Sequence, residues 1–333
     1  MGEAAESSKF YGAIRFIEPD LSVPAEERAI YAGPAAKLAK DESVELHDFR
    51  TSTDVAKGLA GLDVQGFTYM NHEFSLGRDE ILEGTNAEDI YAKEVIDMML
   101  KFTGASRAVI HNMTFRRKLA VAQEDLYHIR RRGDRSDTEI AKLPKDRVQV
   151  TGRGGDTNEP ARHAHCDQIL ESFRDTIRIC RKDITEAAKP AIEAEDMRAR
   201  GAIVKVPRYA SYSVWRPLKT VKRDPIAVLD YRSIAKSELA ITDFRVPSAI
   251  TENGEYVVKA WLHTPPKNPG ALKWYFMSEQ KPDEVCVIKF CDSASADDDN
   301  IAAGCIHASP AIAGVENEDV RESVETRVYC FWD

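Results

Sequence analysis

A mainly β fold with flanking helices, in the form of a sandwich or barrel, is the fold class this sequence predicts. Three observations predict it. After Ala202 the chain breaks into short β-prone segments separated by turn signals. Clear helical periodicity is confined to stretches before that point. Many short strands spaced by turns favour a sandwich or barrel over a parallel α/β sheet.

The first 130 residues are mixed, with helix the clearest signal. Asn86-Ala87-Glu88-Asp89 opens a run in which Ile90, Val95, Ile96, Met99 and Leu100 recur at helical spacing. Its first turn is acidic and Gly104 follows its end, as in a capped helix. Arg107–His111 reads as a short buried strand. Residues 131–160 are polar, rich in Gly, Asp and Arg, and without periodicity, so a surface loop or lid is expected there. Past Asp167 an amphipathic helix places Ile169, Leu170, Phe173 and Ile177 on one face and Arg174, Asp175 and Arg178 on the other. A second helix is expected over Glu186–Arg200, ending at Gly201. Strands are then expected at Ile203–Val206, Tyr209–Trp215, Ile226–Asp230, Tyr256–Leu262, Leu272–Met277, Val285–Cys291 and Ser323–Phe331. Turns such as Glu252-Asn253-Gly254 and the Pro265–Gly270 stretch separate them. No internal repeat is visible. The simplest organisation is one domain over 1–333, with a helical or mixed part over 1–130 and a β part over 161–333.

Length and charge narrow the function. The 333 residues suffice for a large core, with 43% hydrophobic and 30% charged residues as in ordinary soluble proteins. A net charge of −9 disfavours nucleic acid or an anionic membrane as partner. The acidic first eight residues lack the apolar core of a secretory signal, and Gly2 with Ser7 has the wrong spacing for myristoylation. No stretch approaches 18 consecutive apolar residues. The six cysteines form no Cys-x-x-Cys pair, so reduced thiols, a cytoplasmic location and no structural zinc are expected.

The run His163-Ala164-His165-Cys166-Asp167, read with His307, carries the chemistry. A His-x-Asp pair plus a distant His suits a facial triad for non-haem iron(II), whose three ligands leave the opposite face open. Residues i and i+2 of a strand share a face, so His165 and Asp167 converge. The bland alternative is a surface histidine beside an aspartate that caps the next helix. His163 is a weaker candidate than His165, lacking a carboxylate two residues on. His263 is the fallback for His307. Arg321 and Ser323, fourteen and sixteen residues after His307, share a strand face and could hold a carboxylate, since a guanidinium grips one bidentately. Arg327 lies on the same face and is the runner-up.

Eight further stretches keep one order from about residue 60 to the C-terminus. They are Met113-Thr114-Phe115-Arg116-Arg117, His165-Cys166-Asp167-Gln168, Val214-Trp215-Arg216-Pro217-Leu218, Asp230-Tyr231-Arg232-Ser233, Trp274-Tyr275-Phe276, Asp283-Glu284-Val285, Lys289-Phe290-Cys291-Asp292-Ser293 and Arg321–Arg327. In these the chain resembles the hydroxylase/desaturase family of fungal secondary metabolism, iron(II)- and 2-oxoglutarate-dependent oxygenases. That family includes a gibberellin desaturase, an aspergillic-acid oxygenase and a bacterial relative in cephamycin biosynthesis. One departure is Ile306, where the family often has proline before the distal histidine.

The resemblance implies a double-stranded β-helix, or jelly roll. It implies iron(II) on His165, Asp167 and His307, with 2-oxoglutarate anchored by Arg321 and Ser323 and molecular oxygen as the oxidant. The expected activity is hydroxylation, desaturation or ring closure of a small natural-product intermediate, begun by hydrogen abstraction. Arg216, Tyr212 and Arg116 are candidate contacts to substrate or co-substrate, against a buried ion pair for Arg216 and an ordinary core place for Tyr212. The competing classes are an oxygenase of the same fold that works without 2-oxoglutarate, a non-catalytic jelly-roll binding protein, and a metal hydrolase.

Overall fold

Strands drawn from nearly the whole chain build two sheets. In this computed structural model, which describes residues 9–120, 130–154 and 157–333, the strands are β1 (Phe10–Asp20), β2 (Ala35–Asp48), β3 (Phe67–Asn71), β4 (Arg107–Arg116), β5 (Gln149–Thr151), β6 (His165–Cys166) and β7 (Tyr209–Pro217). They continue as β8 (Ala227–Leu229), β9 (Leu239–Pro247), β10 (Glu255–His263), β11 (Trp274–Phe276), β12 (Glu284–Asp292), β13 (His307–Ala308) and β14 (Ser323–Phe331). Eight form one sheet in the order β1-β2-β11-β8-β13-β6-β10-β9, and six form the other in the order β3-β12-β7-β14-β4-β5. The expectations about the first eight residues lie outside the described part.

One apolar core lies between the sheets. Val228 and Tyr275 from the larger sheet meet Phe67, Trp215, Cys286, Ile288 and Phe290 from the smaller, and Ile14, Phe16 and Trp274 continue the cluster on the other face of the larger sheet. Burial of such side chains contributes roughly 1.5–3 kcal/mol each. Strand alternation sends the neighbours Val214, Val285, Val287, Val324 and Val328 to the outer face of the smaller sheet, where Val95, Met98 and Met99 of the helix Ala92–Thr103 cover them. The helices in chain order are α1 (Leu59–Val64), α2 (Arg78–Leu82), α3 (Ala92–Thr103), α4 (Arg135–Ala141), α5 (Leu170–Ile179) and α6 (Lys182–Ala199). Gly104 closes α3 with φ at 71°, the left-handed geometry that glycine supplies without steric cost. Phe173 and Ile177 of α5 and Ile184 and Ala188 of α6 pack with Tyr209, Tyr329 and Phe331.

Three expectations need correction. The N-terminal part is less helical than expected: β1 and β2 are long strands of the larger sheet, paired from Phe10↔Leu46 to Asp20↔Ala35. Segment 131–160 is more than a loop, since it carries α4 and β5. It is also pinned: the Asp137 carboxylate accepts from the Ile30 amide at 2.8 Å and from buried Arg245 on β9 at 2.9 Å. Finally, Ile203–Val206 forms no strand, because no neighbour pairs with it, and Ile203 is fully exposed.

Gly66 offers a test of the core's tightness. Its φ is +91°, a Cβ there would sit 2.9 Å from the Gly304 carbonyl oxygen, and its own carbonyl accepts from the Lys289 amide at 2.8 Å. Both the conformation and the space exclude a side chain. Gly66→Ala is therefore expected to cost about 2 kcal/mol or more. Urea unfolding would read this as a lower midpoint, and an unchanged midpoint would refute it.

Candidate metal centre and co-substrate pocket

The site is built where the shortest strands of the larger sheet meet. β13 and β6 are neighbours, and His307 pairs directly with His165. Paired residues of an antiparallel ladder face the same way, so residues 142 apart in sequence meet ring to ring, centroids 4.4 Å apart. Asp167 follows β6 and brings Oδ1 to 3.4 Å from His165 Nε2. One donor atom from each of His165, Asp167 and His307 lies within 4.8 Å of the others.

Each imidazole is oriented by the backbone. His165 Nδ1 lies 2.8 Å from the His163 carbonyl and His307 Nδ1 lies 3.2 Å from the Cys305 carbonyl. A carbonyl can only accept, so each Nδ1 carries the hydrogen and each Nε2 keeps its lone pair. Two imidazoles and one carboxylate, with second nitrogens so tied, form a donor set that fits iron(II). Burial, with His165 beside it, pushes His307 down to about 4, so this ring is neutral at physiological pH. Burial would raise the Asp167 carboxyl, but Arg327 and then His165 outweigh it and hold it well below the usual carboxylate range. Phe290 stacks on His307 at 5.5 Å and 17°, closing one side.

The bland reading of Asp167 does not hold. The residue before α5 is Ile169, without a side-chain cap, and Asp167 is instead gripped by Arg327. His163 lies against His165, centroids 4.4 Å apart and tilted 33°, but supplies no atom to the three-donor cluster. His263 is one residue past Leu262, the partner of His165. Alternation turns its ring to the other face, where it meets Phe16 edge-on at 5.2 Å.

The smaller sheet supplies the opposite wall. Ser323, Glu325 and Arg327 share one face of β14, and Arg116, Thr114 and Asn112 lie beside them on β4. Arg321 is 3% exposed, and its Nη1 donates to Ser323 Oγ at 2.6 Å. Its guanidinium lies over Trp215 at 5.3 Å. Its Nε has no hydrogen-bond partner, and among the described residues no carboxylate lies within ion-pair distance. Burial, followed by repulsion from Arg116, pushes its pKa down to about 9. Among the described residues this buried cation therefore lacks the counterion that would offset its desolvation.

The other candidates divide. Arg116 reaches the site: it pairs with Ser323 in the ladder, donates to the Glu159 carbonyl at 2.7 Å and lies 4.0 Å from Glu325. Arg216 does not. It pairs with Val324 and so faces outward, where it donates to the Leu76 and Pro282 carbonyls and lies over the Phe74 ring at 4.4 Å. Neither a substrate contact nor an ion pair describes it. Tyr212 pairs with Val328 and is buried in the outer core under α3. Sequence reasoning did not single out Glu325, Asn112 and Thr114, although each lies at even spacing from residues that it did.

Comparisons with known proteins identify the family and the fold. A family profile described as "Oxidoreductase/YMDC permease-like domain" matches residues 18–331. "Gibberellin cluster GA4 desaturase" of Gibberella fujikuroi is 30% identical over 300 residues, covering 84% of this chain and 86% of that protein. The chain belongs to the hydroxylase/desaturase family of iron(II)- and 2-oxoglutarate-dependent oxygenases. A second relative of this oxygenase is "Alpha-ketoglutarate-dependent dioxygenase tstK" of Talaromyces stipitatus, 25% identical over 288 residues, 86% of this chain and 83% of that one. Among solved structures, "iron and alpha-ketoglutarate-dependent endoperoxidase NvfI" superposes with a TM-score of 0.62 at 20% identity, covering 98% of each chain. That likeness shows the shared jelly-roll fold.

Proposed function

We propose that this oxygenase binds iron(II) through His165, Asp167 and His307, binds 2-oxoglutarate through Arg321 and Ser323, and oxidises a small natural-product intermediate by hydroxylation, desaturation or ring closure. The observation that carries the reading is Arg321, a buried guanidinium without a carboxylate partner among the described residues, just before the strand whose Arg327 grips Asp167 of a two-histidine, one-carboxylate cluster.

Each group has a stated task. The two imidazoles offer Nε2 because their Nδ1–H groups are engaged by backbone carbonyls. Asp167 would supply one of the two negative charges that a divalent ion needs. Arg321 and the Ser323 hydroxyl receive the distal carboxylate of the co-substrate, with Trp215 as the floor beneath the guanidinium. Bound iron and 2-oxoglutarate supply the oxidative chemistry, the activation of dioxygen coupled to decarboxylation of the 2-oxo acid. Arg116, on the strand beside Ser323, is a further cation for an acidic substrate or for the co-substrate.

Among the described residues no helix is long and apolar enough to cross a membrane. The six cysteines are all free and buried, which supports a reducing, cytoplasmic setting. The net charge of −9 supports a partner that is neither nucleic acid nor an anionic membrane.

Anaerobic titration tests the assignment. Adding iron(II) and then 2-oxoglutarate to the apoprotein is expected to produce a weak visible charge-transfer band that saturates at one equivalent of each. A folded, iron-loaded protein that shows no band would overturn the 2-oxoglutarate reading in favour of an oxygenase using oxygen alone. Failure to bind iron would leave the non-catalytic binding protein.

A further inference from the structure

We infer that Arg327 is a positioning residue for the metal carboxylate: it holds Asp167 by one oxygen and leaves the other as the single oxygen offered to the ion. The inference rests on the assignment of Asp167 as a ligand. Arg327 Nε and Nη2 each lie 2.6 Å from Asp167 Oδ2, while Oδ1 is the atom that faces His165 Nε2. The guanidinium is itself fixed from behind. Nη1 donates to Asn112 Oδ1 at 3.1 Å and reaches Thr114 Oγ1 at 3.4 Å, and Nη2 donates to Glu325 Oε2 at 3.2 Å. Its plane lies over Phe290, the ring that also stacks on His307.

The donor inventory separates the two arginines of this face. All three nitrogens of Arg327 are engaged by protein groups, so it has little to give a co-substrate. Among the described residues Arg321 has a free Nε and no carboxylate partner. The consequence of Arg327's grip is chemical. A carboxylate free to rotate can take a cation through both oxygens, which would occupy one of the positions a facial triad keeps open. Tying Oδ2 to a rigid fork prevents that rotation. Arg327 also stands between Asp167 and Glu325, two acids that would otherwise repel across the pocket.

The test uses the full-length protein with cobalt(II) as a spectroscopic probe, followed by 2-oxoglutarate. Arg327→Gln is expected to weaken cobalt(II) binding about 10- to 100-fold, the usual cost of losing an outer-shell partner, and to change the cobalt d–d spectrum. Arg327→Lys keeps the charge but not the fork, and is expected to recover part of the affinity with a spectrum still unlike wild type. Arg321→Gln is expected to leave cobalt(II) affinity within about twofold while weakening 2-oxoglutarate. Wild-type cobalt(II) affinity and spectrum in a folded Arg327→Gln would overturn the inference. A loss confined to 2-oxoglutarate would overturn it too and make Arg327 a co-substrate anchor. If Arg327→Gln does not fold, Arg327→Lys decides: a wild-type spectrum and affinity there overturn the inference. Failure of the parent assignment looks different, as undiminished cobalt(II) binding in His165→Ala.

Discussion

In His165→Ala, anaerobic iron(II) and 2-oxoglutarate are expected to give no charge-transfer band, and oxidation of any substrate is expected to vanish. His165 is the hub of the cluster, 3.4 Å from Asp167 and ring to ring with His307. Removing it leaves two ligands on different segments. The loss of metal affinity should exceed the roughly 100-fold that disturbing an outer-shell partner costs. Stability should change little, because the side chain lies at the mouth of the pocket, 14% exposed, and the β6 pairing with Leu262 and His307 is made by the backbone. The control is His163→Ala, which should keep the band. His163 contributes to His165 through its main-chain carbonyl, and alanine retains that group. A band that survives His165→Ala and disappears in His163→Ala would exchange their roles.

Arg321→Met should separate co-substrate binding from folding, with effects of opposite sign. Losing the partner of a buried carboxylate costs about 3 kcal/mol, so the 2-oxoglutarate needed for half-saturation should rise ~100-fold with iron affinity unchanged. Folding should improve. The guanidinium is 3% exposed and has no carboxylate partner among the described residues, and removing an unpaired buried charge relieves its desolvation. Its folded pKa, about 9, lies below its unfolded value. For a cation that direction means a destabilising contribution, present in full below about pH 9 and fading only as pH rises beyond it. At neutral pH the methionine variant should therefore melt at or above the wild-type temperature. Arg321→Lys should restore part of the co-substrate affinity, since an ammonium supplies charge without the bidentate fork. Lower stability with unchanged 2-oxoglutarate affinity in Arg321→Met would show the arginine to be structural.

The parts of the fold legible in the sequence are those where local preference and final environment agree. Tyr209–Trp215, Val285–Cys291 and Ser323–Phe331 are rich in β-formers and become β7, β12 and β14. The β2 stretch, Ala35–Asp48, has the alanine, lysine, glutamate and leucine of a helix, yet it is a strand because β1 and β11 pair with it on either side. Ile203–Val206 shows the reverse, β-prone residues that no neighbour pairs with. β9 escaped notice because it is the edge strand of its sheet, only partly buried along its first half. Period-2 reasoning grouped Arg321, Ser323 and Arg327 on one face; Ser323 and Arg327 do share a face of β14, and Arg321, just before the strand, donates to Ser323. It could not tell which arginine would find a carboxylate already waiting, because Asp167 arrives from a segment 160 residues away. Arg216 and Tyr212 failed as site residues for a related reason. Each is one step out of phase with the pocket-facing residues of β7, and only the register with β14 reveals the phase.

His165 and His307 each take their orienting hydrogen bond from a carbonyl two residues upstream in their own segment. The tautomer of both rings is thus written in three consecutive backbone units and asks nothing of any other side chain. Substitution at 163 or 305 cannot delete the acceptor, since every residue type carries it. A pocket made this way can be relined freely for new substrates while the ring chemistry at its centre is inherited intact.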